Sequence, residues 1–277
     1  DFYICRKIDG EWSKPQPMEG INTPYNEGAQ TLSADGQWMF FTACGRDDSK
    51  GSCDIYFSRR TATGWSEPQN IGAPINTPYW ESQPCFSADG QTLYFVSSRP
   101  GGKGDMDIWK ATICGYLRNG MPFFGNVQNL GDSINTSGSE TSPFIHPDNK
   151  TLYFSSDGWP GVGKLDIFVS RKDENNIWKT PQNIGYPINT DLDDNGLVIN
   201  AAGNTAYMAS TQKQADGTYK KELLCFELPQ EIKPDPVSYV KGHVYDSKTH
   251  QPLQANLELV RLDTKEKQVT AQSGATD

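Results

Sequence analysis

Short apolar runs, each bounded by polar turn residues, recur along the chain at strand length and never extend to helix length. The clearest are Trp38 to Thr42, Thr92 to Val96, Thr151 to Phe154 and Thr205 to Ala209. Each follows a tight turn, Ala34-Asp35-Gly36, Ala88-Asp89-Gly90, Pro147-Asp148-Asn149 or Ala202-Gly203-Asn204, whose residues tolerate positive φ and so predict a hairpin. A polar, glycine-rich loop then leads to a second apolar run: Asp54 to Phe57, Asp107 to Trp109, Asp166 to Phe168 and Glu222 to Leu224. These segments share a period. The triplet Ile-Asn-Thr begins at positions 21, 75, 134 and 188, with spacings of 54, 59 and 54 residues. Ahead of each copy stands an aromatic residue, Trp12, Trp65, Phe124 or Trp178, in a segment able to supply a further strand.

One period therefore reads as strand, Asp-Gly turn, strand, glycine-rich loop, strand, and a fourth strand from the aromatic segment. That is an all-β blade with two apolar faces, which becomes stable only by packing against similar blades around an axis, as in a β-propeller. Asp1 to Lys7 resembles Asp54 to Arg60, the last strand of a blade. A ring left open exposes sheet edges. Five or six four-stranded blades are therefore expected of an intact ring, or a closure using the Asp1 to Lys7 strand.

Composition narrows the function classes. The 277 residues carry 25 Lys+Arg against 34 Asp+Glu, a net charge of -9 that repels a phosphate backbone, which excludes nucleic acid as partner. No apolar run approaches the roughly 20 residues of a transmembrane helix, and Asp1 to Gly10 lack the apolar centre of a signal peptide. Of six cysteines, Cys44 and Cys53 bracket a loop between two predicted strands, close enough to bridge; a disulfide there implies an oxidising compartment, and two half-buried thiols are the alternative. The three histidines, His146, His243 and His250, stand near no Cys-x-x-Cys spacing and no Gly-x-Ser-x-Gly elbow. No metal, cofactor or catalytic residue is assigned.

The pattern Asp89-Gly90, Leu93-Tyr94-Phe95, then residues 98–102 (Ser-Arg-Pro-Gly-Gly) and 107–109 (Asp-Ile-Trp), resembles the PD40 repeat of WD40-like, TolB-like propellers. With the Ile-Asn-Thr linkers and residues 155–163, residues 1–228 resemble the propeller of OmpA-family proteins from Bacteroidetes, including type IX secretion system components. After a Pro-rich linker, 229–236, residues 237–277 resemble the start of a carboxypeptidase-regulatory-like β-sandwich domain, incomplete here. The resemblance implies a periplasmic, outer-membrane-associated protein that contacts other cell-envelope or secretion-system proteins, and peptidoglycan only through a domain absent from this sequence.

On this reading the leading expectation is a non-enzymatic scaffold. The alternative is a glycan-binding or glycoside-hydrolase-type propeller, whose acid pair would come from carboxylates at the channel mouth. An acid follows each Ile-Asn-Thr by four residues: Glu27, Glu81, Glu140 and Asp194. These form a site for a cation or basic segment, or each accepts backbone N–H bonds locally. Tyr79, Trp80 and Trp159 either anchor a partner or pack between blades. Asp54, Asp107 and Asp166 recur at strand starts, where turn stabilisation is expected.

Overall fold

The computed structural model describes residues 1–117, 121–214, 216–238, 244–260 and 267–272. It divides into two compact units, Asp1–Val237 and Ser238–Asp277.

The first unit is a four-blade propeller of small antiparallel sheets. Blade 1 comprises β5 (Asn26–Leu32), β6 (Trp38–Cys44), β7 (Cys53–Arg59) and β8 (Gln69–Asn70), and blade 2 comprises β9 (Glu81–Phe86), β10 (Thr92–Ser97), β11 (Asp107–Tyr116) and β12 (Pro122–Asn129). Blade 3 follows with β13 (Glu140–Ile145), β14 (Thr151–Ser156), β15 (Asp166–Arg171) and β16 (Gln182–Asn183). Blade 4 has three strands: β17 (Asp194–Ile199), β18 (Thr205–Lys213) and β19 (Tyr219–Glu227). Ahead of them, β1 (Tyr3–Ile4) pairs with β4 (Gln16–Pro17), and β2 (Lys7–Ile8) with β3 (Glu11–Trp12). These short pairs match only the outer half of a blade. The described residues thus form four blades, the last with three strands, beside the five or six four-stranded blades expected of an intact ring. In blade 4 the chain leaves β19 through Leu228 into the 3-10 turn Gln230–Ile232, and Leu228 and Ile232 are buried there in place of a pairing strand.

The hairpins close as the turn residues require: Gly36, Gly90, Asn149 and Gly203 all have positive φ. Successive inner strands lie side by side, β5 against β9, β9 against β13 and β13 against β17. Each carries a bulge at the same place, marked by a left-handed residue: Ala29, Gln83, Ser142 and Gly196, with φ of 51°, 52°, 50° and 71°. The bulges join neighbours. The Gln83 N–H donates to Thr42 Oγ1 of blade 1, and the Ser142 N–H to Gln83 Oε1 of blade 2.

Alternation along the second and third strands sends one set of side chains to each neighbouring blade. Phe40, Ile55 and Phe57 meet Leu93, Phe95 and Trp109 between blades 1 and 2; Val96 and Ile108 meet Leu152, Phe154 and Phe168 between blades 2 and 3; Tyr153, Ile167 and Val169 meet Leu197, Ala206 and Met208 between blades 3 and 4. Burying such a side chain contributes roughly 1.5–3 kcal/mol. The core is therefore a row of inter-blade layers. Residues 229–236 lie on this unit, with the Tyr153 hydroxyl donating to the Ile232 carbonyl and the Asp235 N–H to Asp148.

In the second unit β20 (Asn256–Val260) pairs antiparallel with β21 (Lys267–Gln272), and Tyr245 bridges to Pro252. Residues 239–243, near the start of the stretch that resembles a β-sandwich domain, lie outside the described residues. No helix among the described residues is long and apolar enough to cross a membrane.

Candidate binding face at the repeat loops

Each Ile-Asn-Thr makes three separate attachments. Its isoleucine is buried beneath the blade: Ile21, Ile75 and Ile134 are inaccessible and Ile188 nearly so. Its asparagine reads the main chain of the preceding blade's third strand. Asn76 accepts from the Ile55 N–H at 2.9 Å and donates to the Ile55 carbonyl at 2.8 Å, filling both hydrogen-bonding positions of one buried peptide residue. Asn135 does the same to Ile108, Asn189 to Ile167, and Asn22 to Phe2. The threonine turns the chain into the next blade through the acid four residues on. At blade 2, the Thr77 N–H and hydroxyl donate to the two oxygens of Glu81 at 2.7 and 2.6 Å, and Ser97 adds a third bond at 2.7 Å.

The four acids hold equivalent places at the starts of β5, β9, β13 and β17, and each is buried inside its own blade. Glu27 takes Thr23 and Arg46; Glu140 takes Thr136 and Ser156; Asp194 takes Thr190 and, at 3.4 Å, Ser210. Burial pushes the carboxyls of Glu140 and Asp194 up from their ordinary range, against the hydrogen bonds that favour their charged forms. Glu27 and Glu81 also pair with arginines, Arg46 at 3.3 Å and Arg99 at 3.4 Å. Burial lowers the pKa of Arg99, and Glu81 opposes that shift.

Asp54 and Asp107 accept the loop N–H groups of Lys50 and Gly51, and of Lys103 and Gly104, while Asp166 accepts from Val162 and Gly163, so these acids fold the glycine-rich loops. Those loops press on the repeat loops beside them. A Cβ at Gly51 would overlap the Tyr79 carbonyl, one at Gly104 the Gly138 carbonyl and one at Gly163 the Leu192 carbonyl. Cys44 and Cys53, opposite each other on β6 and β7, form a disulfide with Cα atoms 4.0 Å apart. His146 is buried, its Nε2 bonded to the Asn200 carbonyl and its Nδ1 to the Asp148 N–H. His243 lies outside the described residues.

The three aromatics separate. Trp80 and Trp159 pack into the layer between blades 2 and 3, and Trp159 Nε1 donates to the Ile134 carbonyl at 2.8 Å. Tyr79 is 46% exposed. Sequence reasoning missed its counterpart Tyr25, 49% exposed, although both follow Thr-Pro. In both loops the tyrosine N–H donates to the threonine hydroxyl two residues back, at 3.1 Å for Tyr25 and 3.2 Å for Tyr79. Gly138 and Leu192 make the same bond in blades 3 and 4, so only blades 1 and 2 present an aromatic ring there.

No family model and no curated protein matches the chain. Solved structures do. An arabinanase from Bacillus subtilis is 16% identical over 83% of this chain and 86% of its own, with a TM-score of 0.49. An α-L-arabinofuranosidase from Lactobacillus brevis is 11% identical over 87% of this chain and 77% of its own, with a TM-score of 0.43. A puromycin-hydrolysing peptidase from Mycobacterium tuberculosis is 11% identical over 78% of this chain, with a TM-score of 0.44. The chain spans 30% of that peptidase's length, and 48% and 60% of two Bacteroides structures. The expectation of a non-enzyme is corrected by these neighbours: they are mostly enzymes by name, glycoside hydrolases and peptidases among them, so propeller architecture gives no ground for excluding catalysis.

Proposed function

We propose that this propeller is a glycan-recognition domain of a bacterial cell-envelope protein, binding at the face formed by the Ile-Asn-Thr loops of blades 1 and 2. The observation that carries this is the repeated exposed ring, Tyr25 and Tyr79, each pinned at its backbone by the preceding threonine. Rigid aromatic faces with a polar edge suit the apolar faces and hydroxyls of sugar rings, at little cost in conformational entropy. Beneath them, Glu27 and Glu81 hold the loops in shape and do not reach outward as ligands. A periplasmic, outer-membrane-associated location is supported by the Cys44–Cys53 disulfide and by the motif resemblance to OmpA-family proteins, PorE of the type IX secretion system in particular.

Calorimetric titration of the chain with muropeptides and with neutral oligosaccharides tests the reading. Saturable binding that weakens at least tenfold in a Tyr25→Ala, Tyr79→Ala double variant of unchanged melting temperature is expected. Absence of binding by every glycan, or binding indifferent to both tyrosines, refutes it. A second reading, docking of another cell-envelope or secretion-system protein, is favoured by an unfilled groove on blade 4.

A further inference from the structure

In blades 1 to 3 the space above the Ile-Asn-Thr isoleucine, beside the second and third strands, is plugged by one side chain from the loop that follows the second strand. In blade 1 it is Arg46, whose guanidinium lies 5.9 Å from the Phe41 ring centroid and 4.9 Å from that of Tyr56, and which donates to the Ile21 carbonyl. In blade 2 it is Arg99, 5.0 Å from Phe95 and 5.3 Å from Trp109, donating to the Ile75 carbonyl. In blade 3 it is Trp159, donating to the Ile134 carbonyl. Both arginines also pair with the strand-start acid of their blade.

Among the described residues, blade 4 keeps the socket and lacks the plug. Gln212 stands in the place of Arg99 and repeats only the first part of its contact: its Nε2 donates to Ser210 Oγ at 2.9 Å, as Arg99 Nε does to Ser97 Oγ at 2.8 Å. The part of arginine that reaches the isoleucine carbonyl is missing, and among the described residues no side chain donates to the Ile188 carbonyl. The facing third-strand residue shrinks as well. Leu224 pairs with Met208 where Tyr56, Trp109 and Phe168 pair with Phe41, Phe95 and Phe154. The result is a groove of about 390 Å³, lined by Ile188, Met208, Ser210, Gln212, Leu224 and Glu227 among others, with no lysine or arginine among the described residues of its wall. Asp194 lies behind Ser210, and the Ser210 bond of 3.4 Å is long beside the 2.7 Å bonds that Ser97 and Ser156 give their acids.

We infer that this groove is a receptor site for an arginine side chain of a partner protein. The guanidinium enters over Met208 and Leu224, donates to the Ile188 carbonyl and faces Asp194, as Arg46 and Arg99 face their strand-start acids within the chain, while Glu227 at the rim is already paired with Lys233 at 3.2 Å. A planar group with donors in its plane meets both requirements, a flat apolar wall and a carbonyl at its edge; a lysine ammonium meets only the second. The site lies on blade 4, away from Tyr25 and Tyr79, so it is independent of glycan binding.

The test is titration of the 277-residue chain with N-acetyl-arginine amide and N-acetyl-lysine amide, followed by NMR shifts of the blade 4 residues. Saturable shifts with arginine, at least tenfold weaker with lysine, are expected. Gln212→Arg should supply the plug from within, raise the melting temperature and weaken arginine binding at least tenfold, with muropeptide titration unchanged. Should Gln212→Arg fail to fold, Leu224→Trp, which copies Trp109, fills the same space and carries the same expectation. No saturable binding, equal binding of the two amides, or undiminished binding in a folded plugged variant overturns the assignment.

Discussion

Replacing Asn76 with alanine removes the clamp between blades 1 and 2 while leaving every apolar contact of Ile55 and Ile75 in place. The side chain is buried, and its loss leaves the N–H of Ile55, a fully buried residue, without the partner found at 2.9 Å, while the Ile55 carbonyl loses its 2.8 Å bond but keeps the Ile71 N–H at 3.1 Å. An unsatisfied buried main-chain group costs about 1–3 kcal/mol and the lost carbonyl bond about 0.5–1.5 kcal/mol, about 1.5–4.5 kcal/mol together. For a unit of this size each kcal/mol lowers the melting temperature by roughly 2–4 °C, giving a fall of about 3–18 °C. Asn22→Ala removes the same two bonds, but from Phe2 at a partly exposed site where water replaces them, and should cost less than half as much. Thermal unfolding followed by tryptophan fluorescence, with far-ultraviolet circular dichroism as a second probe, compares the two. An Asn76→Ala loss below about 1 kcal/mol, or equal losses at both positions, refutes the view that these asparagines stabilise by satisfying buried main chain.

Glu81→Ala should destabilise by about 3–5 kcal/mol in urea unfolding, because it leaves the buried Arg99 guanidinium without its counter-charge. Reduction of the Cys44–Cys53 disulfide, which spans nine residues, should cost about 2.5 kcal/mol on the loop-entropy relation, read as a lower melting temperature in dithiothreitol that is absent from a Cys44→Ser, Cys53→Ser variant. Burial raises the pKa of Asp148, but bonds from His146, Thr151 and Lys150 outweigh it and hold the carboxyl at about 2. A depressed carboxyl pKa stabilises above the unfolded value and loses that contribution as pH falls through the folded one, so about 1–2 kcal/mol, after allowing for solvent screening, should vanish between about pH 4 and 2 in the wild type and not in Asp148→Asn. Gly51→Ala should lower the melting temperature because its Cβ overlaps the Tyr79 carbonyl, whereas Gly28→Ala, with open space around it, should leave the temperature within a degree or two.

The blade was legible in the sequence because its strands alternate in period two and its turns need particular residues; Ile21, Ile75, Ile134 and Ile188 occupy equivalent buried places. The acids were legible as a series but not as a geometry. Spacing puts Glu81 four residues after Thr77, yet only folding shows that both its oxygens are taken by Thr77. The plugs were hidden by their irregular offsets: Arg46 stands three residues after Ala43, and Arg99 two after Ser97, although Ala43 and Ser97 face equivalent acids. Blade 4 was read as a full blade because its three strands follow the pattern; the missing fourth strand leaves no local mark, since Leu228 and Ile232 bury themselves as a strand residue would. Tyr25 escaped notice because exposure depends on what neighbouring loops leave uncovered.

The asparagine clamps also set how the molecule bears mechanical load. Each triplet ties the third strand of one blade to the first strand of the next, so tension applied at the two ends passes through Asn22, Asn76, Asn135 and Asn189 in series. Extension should therefore proceed in blade-sized steps, each releasing 54 to 59 residues, or about 180–210 Å of contour, and a force trace showing one undivided rupture would rule out such serial links.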